Sequence, residues 1–306
     1  MRKIYALGEA LLDIIFRNGI PVAAKPGGAM LNSVVSLGRT GLPATFISEY
    51  AGDETGSIID NFLRENGVDT GNIYRYTDGK TALALAFLDA DNDARYSFYK
   101  KYPPVRLNMD MPVVSKNDIL LFGSIYAITA EVREKLRTLL HSAVGNDAVI
   151  IYDPNFRSAH LPELPLVKPL ITHNISAASL VRGSDEDFFN IFGASTADEA
   201  WNVISELCPC LIYTASSKGV SVRTHSFSAD YPVRKIEPVS TIGAGDNFNA
   251  GLIRAICDLG INAEQIRSMG GEMWHKLVEC GIDFASDVCM GYDNYISRDL
   301  ASRYIK

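Results

Sequence analysis

The 306-residue chain is short of several things, and each shortage removes a class of function. It has no excess of positive charge. Twenty-nine Lys and Arg stand against 36 Asp and Glu, a net charge of −7, which argues against a nucleic-acid binder that works by neutralising phosphates. It has no long apolar run. The longest, Ala82 to Leu88, falls far short of the roughly 18 residues that a spanning helix needs, so no membrane partner is expected. The apolar stretch after Arg2 and Lys3 is broken by Glu9 and Asp13. That is too short for a secretory leader, and a cytoplasmic location is expected. Cysteine is sparse and odd in number, at 208, 210, 257, 280 and 289. Cys208-Pro-Cys210 lacks CxxC spacing, so reduced structural thiols are expected rather than disulfides or a zinc site. The histidines at 141, 160, 173, 225 and 275 have no ligand spacing. No GxxxxGK[ST] occurs, which excludes a P-loop enzyme. There is no repeat, linker or low-complexity tract. Apolar material is not scarce: 47% hydrophobic against 21% charged is enough for a sizeable core and excludes disorder as the main state. Length alone allows two domains or one large α/β domain.

The chain alternates short apolar runs with segments of helical period. Ile4–Leu7, Ala44–Ser48, Ile119–Phe122, Val149–Tyr152 and Leu211–Tyr213 read as strands. Ala29–Arg39, the stretch around Ile58 to Leu63, and Phe248 to Leu259 read as helices. Another is expected from Thr129, as cap, to about Ser142, and one more over Ile266–Val278. This rhythm predicts an α/β fold with a mostly parallel sheet covered on both faces, and ligands beyond the carboxyl ends of the strands. Residues 73 to 100 break it. Leu83, Leu85 and Phe87 alternate with alanines, Asp91-Asn92-Asp93 turns the chain, and Arg95 to Tyr99 follows. A small β-sheet set into the fold as a lid is expected there.

Five segments carry candidate chemistry. In Ser240-Thr-Ile-Gly243-Ala244-Gly245-Asp246, glycines precede an amphipathic helix. Bare backbone and a helix N-terminus make an anion hole suited to a phosphoryl group, and Asp246 stands where a carboxylate could accept a hydroxyl proton. As a plain feature, Asp246 is equally a favourable first-turn acid. A dinucleotide fingerprint fails here because Phe248 stands where the third glycine belongs. Gly27-Gly28 opens a helix with Asn32 one turn in, fit to meet a sugar hydroxyl or simply to turn the chain. Asp13 follows the first strand and suits a pair of hydroxyls, or the surface. Asp153-Pro154-Asn155-Phe156-Arg157 follows a strand and offers a planar cation to an anion, or to solvent. Ser184-Asp185-Glu186-Asp187 reads as a helix cap with acidic first turn, or as an acidic patch ordering water around Mg²⁺.

In this order, the segments resemble the PfkB, or ribokinase-like, carbohydrate kinase family over nearly the whole chain, with most likeness to its fructokinases. Gly8-Glu9, Asp13 and Pro26-Gly27-Gly28-Ala29 with Asn32 are similar to its N-terminal sugar signature. Thr241 and Gly243 to Asp246, with Phe248 and Gly251 behind, are similar to its C-terminal signature. The resemblance implies a ribokinase-like three-layer α/β/α domain over residues 1–306, with lid elements at about 13–25 and 73–102. It implies ATP-dependent phosphorylation of the primary hydroxyl of a ketohexose, fructose to fructose 6-phosphate, with ribose, 2-keto-3-deoxygluconate or a nucleoside as alternatives and a non-catalytic sugar sensor as a remoter one. Asp246 would be the catalytic base, with Gly243, Ala244 and Gly245 as anion hole. Asp13, Gly27, Gly28, Asn32 and Arg157 would bind the sugar. Ser184, Thr214, Gly219, Gly243 and Gly245 would bind ATP, and Asp187 would hold Mg²⁺ through water. The family's lid often mediates homodimers. Four departures stand out: Ser216 for a glycine, Ser184 and Asp187 at the ends of N-x-x-E, Ser240 for an Asp that helps hold a monovalent cation, and Lys100 for an Arg after Phe98-Tyr99.

Overall fold

The computed structural model describes residues 2–88 and 94–305. The predicted turn at Asp91-Asn92-Asp93 lies outside them. Fourteen strands are described: β1 Ile4–Leu7, β2 Leu11–Arg17, β3 Ile20–Gly27, β4 Ala44–Ala51, β5 Val68–Asp69, β6 Ile73–Tyr76, β7 Lys80–Leu88, β8 Ala94–Lys101, β9 Ile119–Gly123, β10 Val149–Asp153, β11 Leu180–Ser184, β12 Cys210–Thr214, β13 Val220–Thr224 and β14 Ser228–Tyr231. Ten of them form one sheet in the order β14-β13-β12-β11-β10-β9-β1-β4-β5, with β6 also on β4. Every pairing from β12 to β6 in that sheet is parallel, and β13 and β14 close one edge antiparallel.

Helices cover both faces. They are α1 Ala29–Arg39, α2 Glu54–Glu65, α3 Arg133–Gly145, α4 Leu164–Ala177, α5 Asp185–Phe192, α6 Ala197–Ile204, α7 Ala244–Leu259, α8 Ala263–Ser268, α9 Gly271–Cys289 and α10 Arg298–Ser302. The period of two sorts each strand's side chains between two cores. Ile4, Ala6, Ile119, Leu121, Val149 and Ile151 pack with α1, α2, α7 and α9. Tyr5, Leu7, Leu120, Phe122, Ile150 and Tyr152 pack with α3 to α6. The result is the three-layer α/β/α architecture expected from the sequence. Helix α7 is pressed against α9 where both backbones are bare: a Cβ on Gly251 would lie 2.3 Å from the Cys280 carbonyl.

The second sheet has the order β3-β2-β7-β8, with β2 and β7 parallel and the outer pairs antiparallel. Its first pair of strands covers the predicted 13–25, and its second pair begins at Lys80, later than the predicted 73. Ile73–Tyr76 pairs in parallel with Ser48–Ala51 and belongs to the main sheet. Two helix boundaries also differ. The Thr129 hydroxyl donates back to the Ile125 carbonyl at 2.9 Å instead of capping, and α3 starts at Arg133 after two short 3-10 turns. The helix expected over Ile266–Val278 is two, because Met269 is extended and Gly270-Gly271 restarts the chain.

Asp53 fastens the two sheets. Its carboxylate caps α2 by accepting the Gly56 N–H at 2.8 Å, and it accepts the Thr81 hydroxyl at 2.6 Å and the Thr81 N–H at 3.1 Å at the start of β7. Burial pushes this carboxyl up, but the bonds from Thr81 and Gly56 outweigh it and hold it below the usual range. A depressed carboxyl stabilises the fold above its unfolded value, near 4, and that contribution is lost as pH falls through the lower folded value. Asp53→Ala is therefore expected to cost about 1–2 kcal/mol at pH 7 in urea unfolding, and clearly less at pH 3. An equal loss at both pH values would remove the carboxylate from the account.

Candidate active site

Two helices of the same layer, α1 and α7, start side by side at one end of the parallel strands. Gly28 precedes α1 with φ 130°, and Gly243 precedes α7 with φ 81°. An L side chain rarely takes either conformation, so glycine at these two positions follows from the backbone. Asn32, one turn into α1, is 4% exposed, and its Nδ2 donates to Asp246 Oδ2 at 2.8 Å. The Ser33 hydroxyl donates to the Asp246 carbonyl at 2.7 Å. The two segments that the sequence singled out, 214 residues apart, thus meet in one hydrogen bond. Asn32 Oδ1 is buried and has no hydrogen-bond partner among the described residues.

The remaining predicted residues gather around this contact. Asp13, on β2, folds its carboxylate over Gly27: a Cβ there would lie 2.0 Å from Oδ2. Burial pushes the Asp13 carboxyl up to about 6, against the pull of Lys25 on the neighbouring strand. Burial likewise pushes Asp246 up to about 6, while the Asn32 bond and the charges of Arg182 and Arg157 pull the other way. Arg157 is exposed and pairs with Glu186 at 3.4 Å. Lys100 donates to both carboxylate oxygens of Glu9, at 2.7 and 2.9 Å, and Tyr102 donates to the same group. Gly219 ends a tight turn after β12 with φ 118°. Ser216, where the family has glycine, is held at φ 47°, so the turn keeps a glycine-like conformation without the glycine.

Three predicted residues, Asp187, Ser184 and Thr214, are already engaged within the fold. Asp187 was expected to hold a metal through water. It is 3% exposed and both its oxygens are occupied: Oδ1 accepts the Phe156 N–H, and Oδ2 accepts the Ser184 N–H and hydroxyl. This is the capping box of α5, which also takes up the Ser184 hydroxyl. Of the other acids of that turn, Glu186 is exposed and Asp185 is half-buried and paired with Lys218 at 3.8 Å. Thr214 is buried, and its hydroxyl accepts from Arg182 Nη2 at 2.6 Å.

Arg182 is the residue that sequence reasoning missed. It lies on β11, 7% exposed, with Nη1 on Asp153 Oδ2 at 2.9 Å. A Cβ on Gly245 would lie 2.7 Å from that Nη1, so the guanidinium sits directly beneath the first turn of α7. Asn249, from the same helix, donates to Asp153 Oδ2 at 2.6 Å. The signal was a charge inside Leu180-Val181-Arg182-Gly183, a strand whose place in a parallel sheet calls for an unbroken apolar run.

A family model described as pfkB family carbohydrate kinase matches residues 1–289. The chain belongs to the pfkB family of carbohydrate kinases. Among curated relatives, a probable fructokinase-4 of Arabidopsis thaliana is 28% identical over 270 residues, 83% of this chain and 82% of that protein. Among solved structures, aminoimidazole riboside kinase of Salmonella enterica, complexed with aminoimidazole riboside and an ATP analogue, matches at TM-score 0.83 and 19% identity over all of both chains. A fructokinase of Vibrio cholerae O395, in a form with fructose, ADP and calcium, matches at TM-score 0.82 and 17% identity over 100% of this chain and 99% of that one. These two share the fold. As a pfkB carbohydrate kinase, the chain is an ATP-dependent sugar kinase. Among the described residues, no helix is long and apolar enough to cross a membrane.

Arg182→Met leaves Asp153 buried with only neutral donors, the Asn249 amide and the Asn155 N–H, and should cost about 3–5 kcal/mol, because breaking a buried pair strands a charge. Adding Asp153→Asn should recover part of that loss in urea unfolding. A double variant as unstable as the sum of the two singles would show the pair to be uncoupled.

Proposed function

We propose that this pfkB kinase transfers the terminal phosphoryl of ATP to the primary hydroxyl of a free ketohexose, with fructose 6-phosphate as product from fructose. The observation that carries the reading is the Asn32–Asp246 bond, which joins a sugar-type motif to a phosphate-type motif. The curated relative named a fructokinase supports the choice of sugar. In this reading Asp13, Gly27, Gly28 and Asn32 hold the sugar. Asn32 offers its buried, unpartnered Oδ1 to one of the sugar's hydroxyls, which removes the cost of an unmet acceptor. Asp246 Oδ1 or Oδ2 takes the proton of the attacking hydroxyl. The N–H groups of Gly243, Ala244 and Gly245, at the positive end of α7, receive the charge that develops on the phosphoryl. Arg157 clamps an anionic or carbonyl oxygen, and positioning does most of the work. The turn from Ser216 to Gly219 presents its backbone to the nucleotide, with Ser184 beside it and Thr214 acting through Arg182. The second sheet serves as the lid, excluding water at closure.

Mg²⁺ fits this site in one particular way. No group of three or more His, Cys, Asp or Glu able to hold a metal occurs among the described residues. Mg²⁺ does not require one, because it keeps most of its waters and uses one or two carboxylates besides the phosphates. Glu186, exposed beside Arg157, and half-buried Asp185 next to it are the residues that would hold its waters, in place of Asp187. Bound there with the nucleotide, the ion would neutralise phosphate charge.

A second reading rests on two cations, Lys25 opposite Asp13 and Arg157, whose charge reaches the same Tyr96 that Asp13 acts on. They suit an acidic sugar such as 2-keto-3-deoxygluconate. Fructose, ribose, an aminoimidazole or purine riboside, and 2-keto-3-deoxygluconate assayed with Mg·ATP decide between these. The highest kcat/KM is expected for fructose, and a lead for any other member of the panel reassigns the substrate.

Asp246→Asn is expected to keep sugar binding and to lose at least about two orders of magnitude in turnover, the size of a general-base contribution. Because the base works ionised and its carboxyl is raised to about 6, kcat/KM should fall as pH drops through 6. Asp13, also raised to about 6, should steepen that limb beyond a single ionisation. A rate that stays level down to pH 5 would remove Asp246 as the base.

A further inference from the structure

Lys25 has no part in the reading above except as a charge near Asp13, yet its position is specific. It sits on β3, directly opposite Asp13 on β2. Its ammonium does not reach back along its own sheet. It donates to the backbone carbonyl of Tyr292, 267 residues further on, in the segment between α9 and α10. Burial pushes the ammonium down, and Asp293 and Asp13 support its charge from either side. Two residues beyond Tyr292 stands Asn294, which is 5% exposed. The Asn294 carbonyl accepts from Asn247 Nδ2 at 2.8 Å, and the same Nδ2 donates to the Gly243 carbonyl at 2.7 Å. A Cβ on Gly243 would lie 2.8 Å from the Asn294 carbonyl oxygen, so this segment is the back wall of the α7 entry turn. The Ile296 N–H then donates to the Ser36 hydroxyl on α1 at 3.0 Å, which fixes the far end of the segment.

We infer that Lys25 is a positioning residue that couples the sugar-side sheet to the phosphate-binding turn through residues 292–294. The inference rests on the sugar-kinase reading of this site. Its physical content is that two paired strands, β2 and β3, bring both ends of the linkage side by side. Register places Asp13, which would hold the sugar, beside Lys25, which holds the segment behind Gly243. A sugar that orders β2 and β3 fixes the ammonium, the ammonium fixes the Tyr292 carbonyl, and the segment cannot shift without moving the Asn294 wall against a glycine that has no room for it. Coupling of this kind is reciprocal: sugar tightens nucleotide binding by the factor with which nucleotide tightens sugar binding. The contribution is not a simple surface tether. An exposed lysine bond stabilises little, whereas a half-buried ammonium on a carbonyl loses more when it is removed.

Calorimetric titration of the full chain with Mg·ADP, alone and with saturating fructose, tests the inference on wild type, Lys25→Met and Lys25→Arg. If the panel assay names another sugar as best substrate, that sugar replaces fructose. Wild type is expected to bind Mg·ADP about fivefold or more tightly when the sugar is present. Lys25→Met should bind each ligand alone within about twofold of wild type, lose the coupling, and lose turnover by a similar factor. Lys25→Arg, which can still reach the carbonyl, should keep most of it. Equal melting temperatures of the three proteins separate this from general loosening, and where Lys25→Met melts early the Arg variant against Lys25→Gln carries the comparison. Full coupling in the Met variant, or none in wild type, overturns the inference. A wild type that turns over no sugar of the panel overturns the sugar-kinase reading instead, and that result appears before any variant is made.

Discussion

Everything in the site depends on the placement of two helix starts against each other. Helices α1 and α7 come from opposite ends of the chain, and each begins with a glycine in a conformation closed to other residues. The Asn32–Asp246 bond locks their first turns together, and Ser33 and Ser36 extend the contact to the Asp246 carbonyl and the Asn247 amide. A helix start leaves backbone N–H groups unpaired. On the proposed function, two such starts side by side would supply donors for a phosphoryl group from one and a polar platform for its acceptor from the other. The carboxylate that would mediate between them is already oriented by a buried amide. Side-chain amides do this without adding charge, which a second carboxylate or a lysine at position 32 would not.

The rest of the fold supplies rigidity to that pair of turns. The parallel strands end beneath them, and Arg182 rises from β11 to fill the space under Gly245. Glycine at 245 is thus a packing requirement from below. The Asp53 cap links the main sheet to β7, and Lys100 and Tyr102 close β8 onto Glu9 just after β1. Each link is modest in energy, about 1 kcal/mol for a typical net hydrogen bond. They matter by fixing the angle at which the second sheet meets the cleft.

Much of this was legible in the sequence, for definite reasons. Period and punctuation gave α1 to the residue, and β9, β10 and β12 to within one or two, because buried strands and amphipathic helices leave strong local patterns. Glycine and asparagine at helix starts marked the site because few other residues satisfy its backbone. Three things were not legible. Ile73–Tyr76 looks like the start of the β-rich insertion, and only its pairing with β4, a tertiary choice, returns it to the main sheet. Thr129 has the right residue type for a cap, but whether its hydroxyl points forward or back to Ile125 depends on two 3-10 turns with no sequence mark. The division of labour between Glu186 and Asp187 depends on burial, which adjacent acids in one helical turn cannot reveal.

That division has an electrostatic consequence. Buried Asp153 acts electrostatically on both Asp246 and Asp187, and among the described residues the buried cation that acts on Asp246 and Asp187 alike is Arg182. Burial, with Asp153 nearby, pushes Asp187 up, and Asp153 adds to the burial that raises Asp246. An anion approaching the α7 turn would meet a wall that is negative on balance were it not for the N-terminus of α7, worth about half a positive charge, and exposed Arg157. The ion pair that holds Arg157 to Glu186 is solvent-exposed and so weak, about 0–1 kcal/mol. On the proposed function, exchange of that pair would free a cation for the phosphate and a carboxylate for the waters of Mg²⁺ in one rearrangement. The acid that stays behind, Asp187, is the one the fold needs as a cap. The chain thereby separates a structural carboxylate from a movable one within a single turn of α5.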